Sequence, residues 1–339
     1  MNFIKKLFTK KALTQKNTLK IIDQSAPNIF IFDKDIKTEA LNILTFRDNY
    51  PLLKEQSIIR MQDLLNQAEL QDFNRQLTIF WLLHLRDSLG IDYKLYQSDE
   101  VFLLSSQNER IIKLTMDFLK SGRERVLKAL PGLTAAFGDL LSIMINEGEQ
   151  YYNYTGKYNS GKGQTILSAG VFIKSVLPHF VTNETQLTLA EPTIIHEMTH
   201  YHLAHLELPL WLDEGLAVNV ERVIAKNAPP AEYLVELYEK HIAYWDHQTI
   251  QNFWSGDTYS HSTKAELAYD LGRMLVYHLA KQKHAFKQFV EDSNRLDSGA
   301  KAAMTHLDMT LGQIVCSLLN KPYNTRWEPK AYDLTISYH

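Results

Sequence analysis

Residues 196–200 read His196-Glu197-Met198-Thr199-His200, and residues 208–217 read Leu208-Pro209-Leu210-Trp211-Leu212-Asp213-Glu214-Gly215-Leu216-Ala217. The first stretch is the H-E-x-x-H pattern, and its logic is helical. Positions i and i+4 lie about 40° apart around an α-helix and one turn apart along it. Two imidazoles so placed can reach one ion at the ~2.0–2.1 Å that zinc–nitrogen bonds require. Glu197 projects beside them, where a carboxylate can take a proton from a water whose pKa the ion has lowered. Pro192 suits the first turn of such a helix, and Ile194, Ile195 and Leu203 supply apolar faces to bury it.

A hydrolytic zinc site takes three protein ligands and leaves a fourth position open. The metzincin continuation is excluded, because Leu203 and Leu206 stand where it needs glycine and histidine. On a helix His202 and His205 lie about 240° and 180° from His196, so both face away and read as surface or second-layer histidines. Glu207 returns to the ligand face by angle but lies roughly 10 Å beyond His200 along the axis. Leu208-Pro209-Leu210 ends the first helix, and the segment from Trp211 begins a second that can bring a carboxylate to the ion. Asp213 and Glu214 are both available, and spacing does not choose between them.

Outward from the motif, the pattern predicts an α+β fold. Val101–Leu104, Leu140–Ile145, Ile166–Ile173 and His179–Thr182 read as strands, and Ile111–Leu130 as a helix ended by Pro131-Gly132. From Pro192 onward the periodicity is helical. Residues 34–90 also read as helices, through Leu41, Ile43, Leu44 and Phe46, then Ile58 to Leu65 and Leu70 to Leu89. The expected organisation is a helical N-terminal region over residues 1–95 and a second domain over 96–339, with a small mixed sheet and a mainly helical C-terminal half. Tyr151, Tyr152, Tyr154 and Tyr158 suggest a strand face or a groove. The five tryptophans read as packing anchors, and His84 as a structural histidine.

Composition bounds the alternatives. The chain has 339 residues, 45% hydrophobic and 22% charged, which excludes a disordered chain or a fibre. A net charge of -3 gives no global pull toward nucleic acid, and none is expected as a partner. The single cysteine, Cys316, excludes an internal disulfide. Gly161-Lys162-Gly163 lacks the spacing of a phosphate loop. There is no signal-peptide pattern and no run of 18 apolar residues, so the expected location is cytoplasmic. In the basic N-terminus Phe3, Ile4, Leu7 and Phe8 share a helical face, which suits weak contact with an anionic membrane surface. A frayed, solvated terminus is the preferred reading.

The two stretches quoted first, taken together, resemble the peptidase-MA-like group of gluzincin metallopeptidases, relatives of thermolysin-type enzymes. That group carries a histidine-glutamate helix followed by Leu-Pro-x-Trp-Leu-x-Glu-Gly-Leu-Ala, which residues 208–217 match in full. The resemblance covers residues 196–217, with a looser likeness from about 100 to 320. It implies a zincin-like catalytic domain and one Zn2+ held by His196, His200 and Glu214. It implies Glu197 as general base and a peptide or protein substrate laid along the strands before the motif. It also implies that the segment Tyr269–Leu279 is the group's next helix. The developing oxyanion needs a second donor; Tyr269, His261 and Tyr259 are candidates, and the resemblance favours Tyr269.

The Asn-Glu-x-x-Ser-Asp form of thermolysin is absent, leaving Glu221 and Asp213 as candidate partners of the ligands. No Gly-x-Met-x-Asn segment is present to hold a free amine, so an endopeptidase is expected. The alternative is an inactive zinc-binding regulatory or interaction protein on a peptidase-like fold, which a fourth protein ligand such as Asp213 or His205 would favour.

Overall fold

A computed structural model describes residues 19–34, 37–135, 138–158, 169–183, 187–227, 229–261 and 263–330. The basic N-terminal stretch, the glycine turn at 161–163 and the last nine residues lie outside these. The chain opens with β1 (Lys20–Ile22), β2 (Phe30–Lys34), β3 (Lys37–Leu41), β4 (Leu44–Arg47) and β5 (Tyr50–Leu53). Two helices follow, α1 (Glu55–Gln62) and α2 (Gln67–Leu89), then β6 (Lys94–Gln97), β7 (Val101–Ser105), α3 (Glu109–Ala129), β8 (Leu140–Met144) and α4 (Gly148–Thr155). After β9 (Gly170–Ile173) and β10 (His179–Thr182), the chain is helical. These helices are α5 (Leu187–Leu203), α6 (Leu210–Ala225), α7 (Ala231–Tyr244), α8 (Thr249–Trp254), α9 (Ala265–Leu279), α10 (Lys283–Asp292), α11 (Ala300–Leu307) and α12 (Leu311–Leu318). The fold is mixed α+β, as expected. Among the described residues no helix is long and apolar enough to cross a membrane.

The main sheet runs β1-β6-β7-β8-β10-β9. Its centre, β7-β8-β10, is parallel, and antiparallel strands flank it on both sides. Both faces are covered, which is why β7 and β8 are buried at every position rather than at alternate ones. Val101, Leu103, Leu140, Met144 and Phe180 point into one core with α3, α5, α6 and the C-terminal helices. Phe102, Leu104, Leu141, Ile143 and Val181 point into the other, against α2 and α4. The strand β9 is left at the sheet edge, beside α5.

The N-terminal region differs from its sequence reading. Residues 34–54 were expected to be helical and instead form two hairpins, β2–β3 and β4–β5. The second turns on Asp48-Asn49, both left-handed at φ 49° and 68°, between the paired Arg47 and Tyr50. This is the two-residue turn that matches strand twist, and Asn and Asp tolerate it. The expected boundary at 95/96 falls inside β6, which pairs with β1, and α2 packs Phe73, Leu77 and Trp81 into the second core. Trp81 also donates to the Pro51 carbonyl at 3.1 Å.

The tyrosine-rich stretch is the helix α4, with Tyr151 and Tyr154 fully buried, and not a strand. Pro192 lies inside α5 rather than in its first turn. The five tryptophans are all buried, and His84 meets the Pro27 carbonyl at 2.9 Å.

One buried ring makes this second core sensitive to acid. His179, at the start of β10, accepts from the Tyr154 hydroxyl at 2.8 Å through Nε2 and meets the Leu177 carbonyl at 2.8 Å through Nδ1. Burial pulls its pKa down from 6.5 to about 4. Between those values only the unfolded chain binds the proton, so stability falls as pH falls through that window and this contribution is complete below it. Urea unfolding should show the chain losing about 3 kcal/mol more than His179→Gln between about pH 7 and pH 4. Equal losses would contradict the assignment.

Candidate metal centre

The two histidines share one face of α5, and the break at Pro209 lets α6 turn back and pack against it. The turn brings Glu214 to both rings. His196 Nε2 lies 3.1 Å from Glu214 Oε2 and 3.1 Å from His200 Nε2, and His200 Nε2 lies 3.5 Å from Glu214 Oε2. Donors ~2.0–2.1 Å from a tetrahedral ion stand roughly 3.3 Å apart. The observed triangle matches that spacing, and the group His196, His200 and Glu214 could hold a metal ion. Two ring nitrogens facing each other beside a carboxylate need a cation or a proton between them. Among the described residues no fourth His, Cys, Asp or Glu joins this group.

The outer side of each ring is also held. His196 Nδ1 lies 3.1 Å from Glu221 Oε2, and His200 Nδ1 lies 3.1 Å from Asp213 Oδ1. Glu221 in turn accepts from the Asn227 amide at 2.6 Å. Each Nδ1–H is thereby directed at a carboxylate, which fixes the tautomer and turns Nε2 inward. The two acids at Asp213 and Glu214, which spacing does not separate, thus stand on opposite sides of His200: Glu214 with the inward nitrogens, Asp213 behind the ring.

The electrostatics favour a cation. Burial opposes charge on His196, but hydrogen bonds to Glu214 and Glu221 outweigh it and push the ring up to about 9. Burial likewise opposes charge on His200, and Asp213 and Glu214 more than offset it, leaving that ring well above its usual value. Glu214 is buried too, yet the two imidazoles hold its carboxyl far below the usual range. Glu197 stands apart from the triangle. Burial raises its pKa, against the pull of the two rings, and the Phe172 backbone on the edge strand β9 hydrogen-bonds it.

These groups line one cavity of about 570 Å3, together with Gly170, Val171, Phe172, Thr193 and Tyr269. Of the three candidate donors only Tyr269 reaches it. Tyr259 gives its hydroxyl to the Ala268 carbonyl at 3.1 Å and sets its ring edge-on to Tyr269, centroids 5.0 Å apart. His261 is exposed and contacts Thr263. Burial raises the Tyr269 phenol, so it stays protonated and able to donate. Of the two histidines that face away from the pair, His202 is fully buried and His205 is exposed.

Glycine sets how closely these elements meet. A Cβ on Gly215 would fall 2.5 Å from the Gly272 carbonyl oxygen, and one on Gly272 would fall 2.8 Å from the Trp211 carbonyl oxygen. Both are closer than side-chain carbons approach, so only bare backbone allows this crossing of α6 and α9. Glu214 precedes Gly215, and Tyr269 lies one turn before Gly272, so the crossing brings both to one cavity. Gly170 plays the same part on β9, where a Cβ would meet Thr193 Cγ2 at 2.4 Å.

No family model, curated protein or solved structure matches the chain. The carboxylates behind the rings give the first test of the centre. Glu221→Gln and Asp213→Asn should each weaken zinc binding roughly 10- to 100-fold, measured by competition with a chromophoric chelator. Unchanged affinity in both would show that these carboxylates do not serve the ligands.

Proposed function

We propose that the chain is a zinc-dependent peptidase, and specifically an endopeptidase. The observation that carries this reading is the triangle of His196, His200 and Glu214, with the separate carboxylate of Glu197 in the same cavity. Two imidazoles and one carboxylate with an open side are the donor set of hydrolytic zinc sites. What zinc supplies when bound is Lewis acidity, which lowers the pKa of water and polarises a carbonyl.

The chain's own residues do the rest. Glu197, whose pKa burial raises, takes a proton from the water that attacks the scissile carbonyl carbon. It returns that proton to the amide nitrogen as the carbon–nitrogen bond breaks, and the second water proton passes from the new carboxyl group to the amine, so the products are a carboxylate and an ammonium group. Tyr269 donates its phenolic hydrogen to the carbonyl oxygen as negative charge develops there. The strand β9 stands at the edge of the described sheet and borders the cavity, beside which an extended substrate would lie. The absence of a free-amine clamp in the sequence favours internal bonds over terminal ones.

The test is hydrolysis of a mixture of random-sequence quenched fluorescent peptides by the zinc-loaded chain. Cleavage is expected, with Glu197→Gln lowering kcat at least about a hundredfold while still binding zinc. Tyr269→Phe should lower kcat about a hundredfold as well. Loss of no activity in Glu197→Gln, or no cleavage by the zinc-loaded wild type, would contradict the reading.

A further inference from the structure

Beside the metal centre lies a second buried polar cluster that the proposed chemistry does not use. At its middle is Asp270, 6% exposed, the residue after Tyr269. Its Oδ1 accepts from Arg273 Nε at 2.7 Å and lies 3.5 Å from Arg222 Nη2. Its Oδ2 lies 3.1 Å from Nε2 of His241, which is fully buried. Trp245 donates to His241 Nδ1 at 2.8 Å, so the ring's proton sits on Nε2 and is given to Asp270. One carboxylate thus ties three helices: α6 through Arg222, α7 through His241, and α9, on which it stands.

The tie through Arg222 leads toward the centre. Arg222 follows Glu221, which holds His196. Asn219, one turn before Arg222, donates to the Arg273 carbonyl at 3.0 Å and so fastens α6 to α9 a second time. An aspartate side chain is short, so a fixed carboxylate fixes the backbone at 270 and with it the neighbouring Cα of Tyr269. Simple stability is a weak reason for such a cluster, because the desolvation of a buried ion pair offsets much of its attraction. What the cluster does supply is one defined arrangement of helices.

We propose that Asp270 is a positioning residue, which locks α9 against α6 and α7 and thereby holds the Tyr269 ring at the cavity that Glu214 also lines. The consequence for rate rests on the peptidase reading; the geometry does not.

The test uses the full chain labelled with 3-fluorotyrosine, observed by 19F NMR, with the Tyr269 signal assigned by its loss in Tyr269→Phe. In Asp270→Asn an amide must face the N–H of His241 or of Arg273, donor against donor. The Tyr269 signal should shift or broaden, while that of Tyr277, exposed farther along α9, stays in place. Zinc content should not change. Arg222→Gln, at a partly exposed position, should shift the Tyr269 signal in the same direction by less, and serves if Asp270→Asn does not fold.

On the fastest-cut peptide of the mixture, Asp270→Asn should lower kcat about tenfold with KM within about twofold. Added to Tyr269→Phe, it should cost no more than Tyr269→Phe alone. An unmoved Tyr269 signal in a folded variant would overturn the proposal, as would multiplied losses in the double variant. A Tyr269→Phe chain with full activity would remove Tyr269 from the reaction and leave the signal to decide the geometry.

Discussion

Charge burial is the constraint around which this chain is arranged. Two imidazoles and the carboxylate of Glu214 stand within 3.5 Å of one another, Asp213 lies behind one ring, and the buried carboxylate of Glu197 shares their cavity. Ionised groups removed from water are costly unless they are paired and hydrogen-bonded. Here the arrangement answers that cost in layers. The inward nitrogens and Glu214 form the triangle, and Asp213 and Glu221 take the outer ring nitrogens. Two helices supply all of these groups, so the crossing of α5 and α6 carries the burden.

The rest of the fold holds that crossing in place. The sheet supports α5 from one side, through β9 and β10, and α3 packs against both α5 and β7. From the other side α9 reaches α6 at bare glycine backbone, where Gly215 and Gly272 meet. The edge strand β9 closes on α5 through Gly170 and braces Glu197 through the Phe172 backbone. The N-terminal hairpins and α2 cover the opposite face of the sheet, so they support the site at a distance, and none of their described residues lines its cavity.

How much of this could be read in the sequence follows from how local each feature is. The pair His196 and His200 is a matter of helical period, and the strands β7, β8 and β10 are compact apolar runs, so both were legible. Spacing did not choose between Asp213 and Glu214, because neighbouring residues on a helix differ by rotation about its axis; the resemblance alone pointed to Glu214. Only the crossing with α5 turns one inward and one behind His200. Residues 34–54 misled because Ile43, Leu44 and Phe46 fit a helical spacing as well as a paired one. The Asp48-Asn49 turn was the stronger signal. The tyrosines of α4 suit strands by propensity, and burial against the sheet overrides it. Asp270, His241 and Arg222 come from three segments and meet only in the folded chain, so no local pattern announces them.

The central claim is that His196, His200 and Glu214 form one zinc site. Its most direct test is the metal content of the purified, zinc-reconstituted chain by mass spectrometry, beside Glu214→Ala. The account predicts about one zinc per wild-type chain, in keeping with a single three-ligand site, and its loss in the folded variant. A wild-type chain that takes up no zinc, or a Glu214→Ala chain that keeps it in full, would contradict the account.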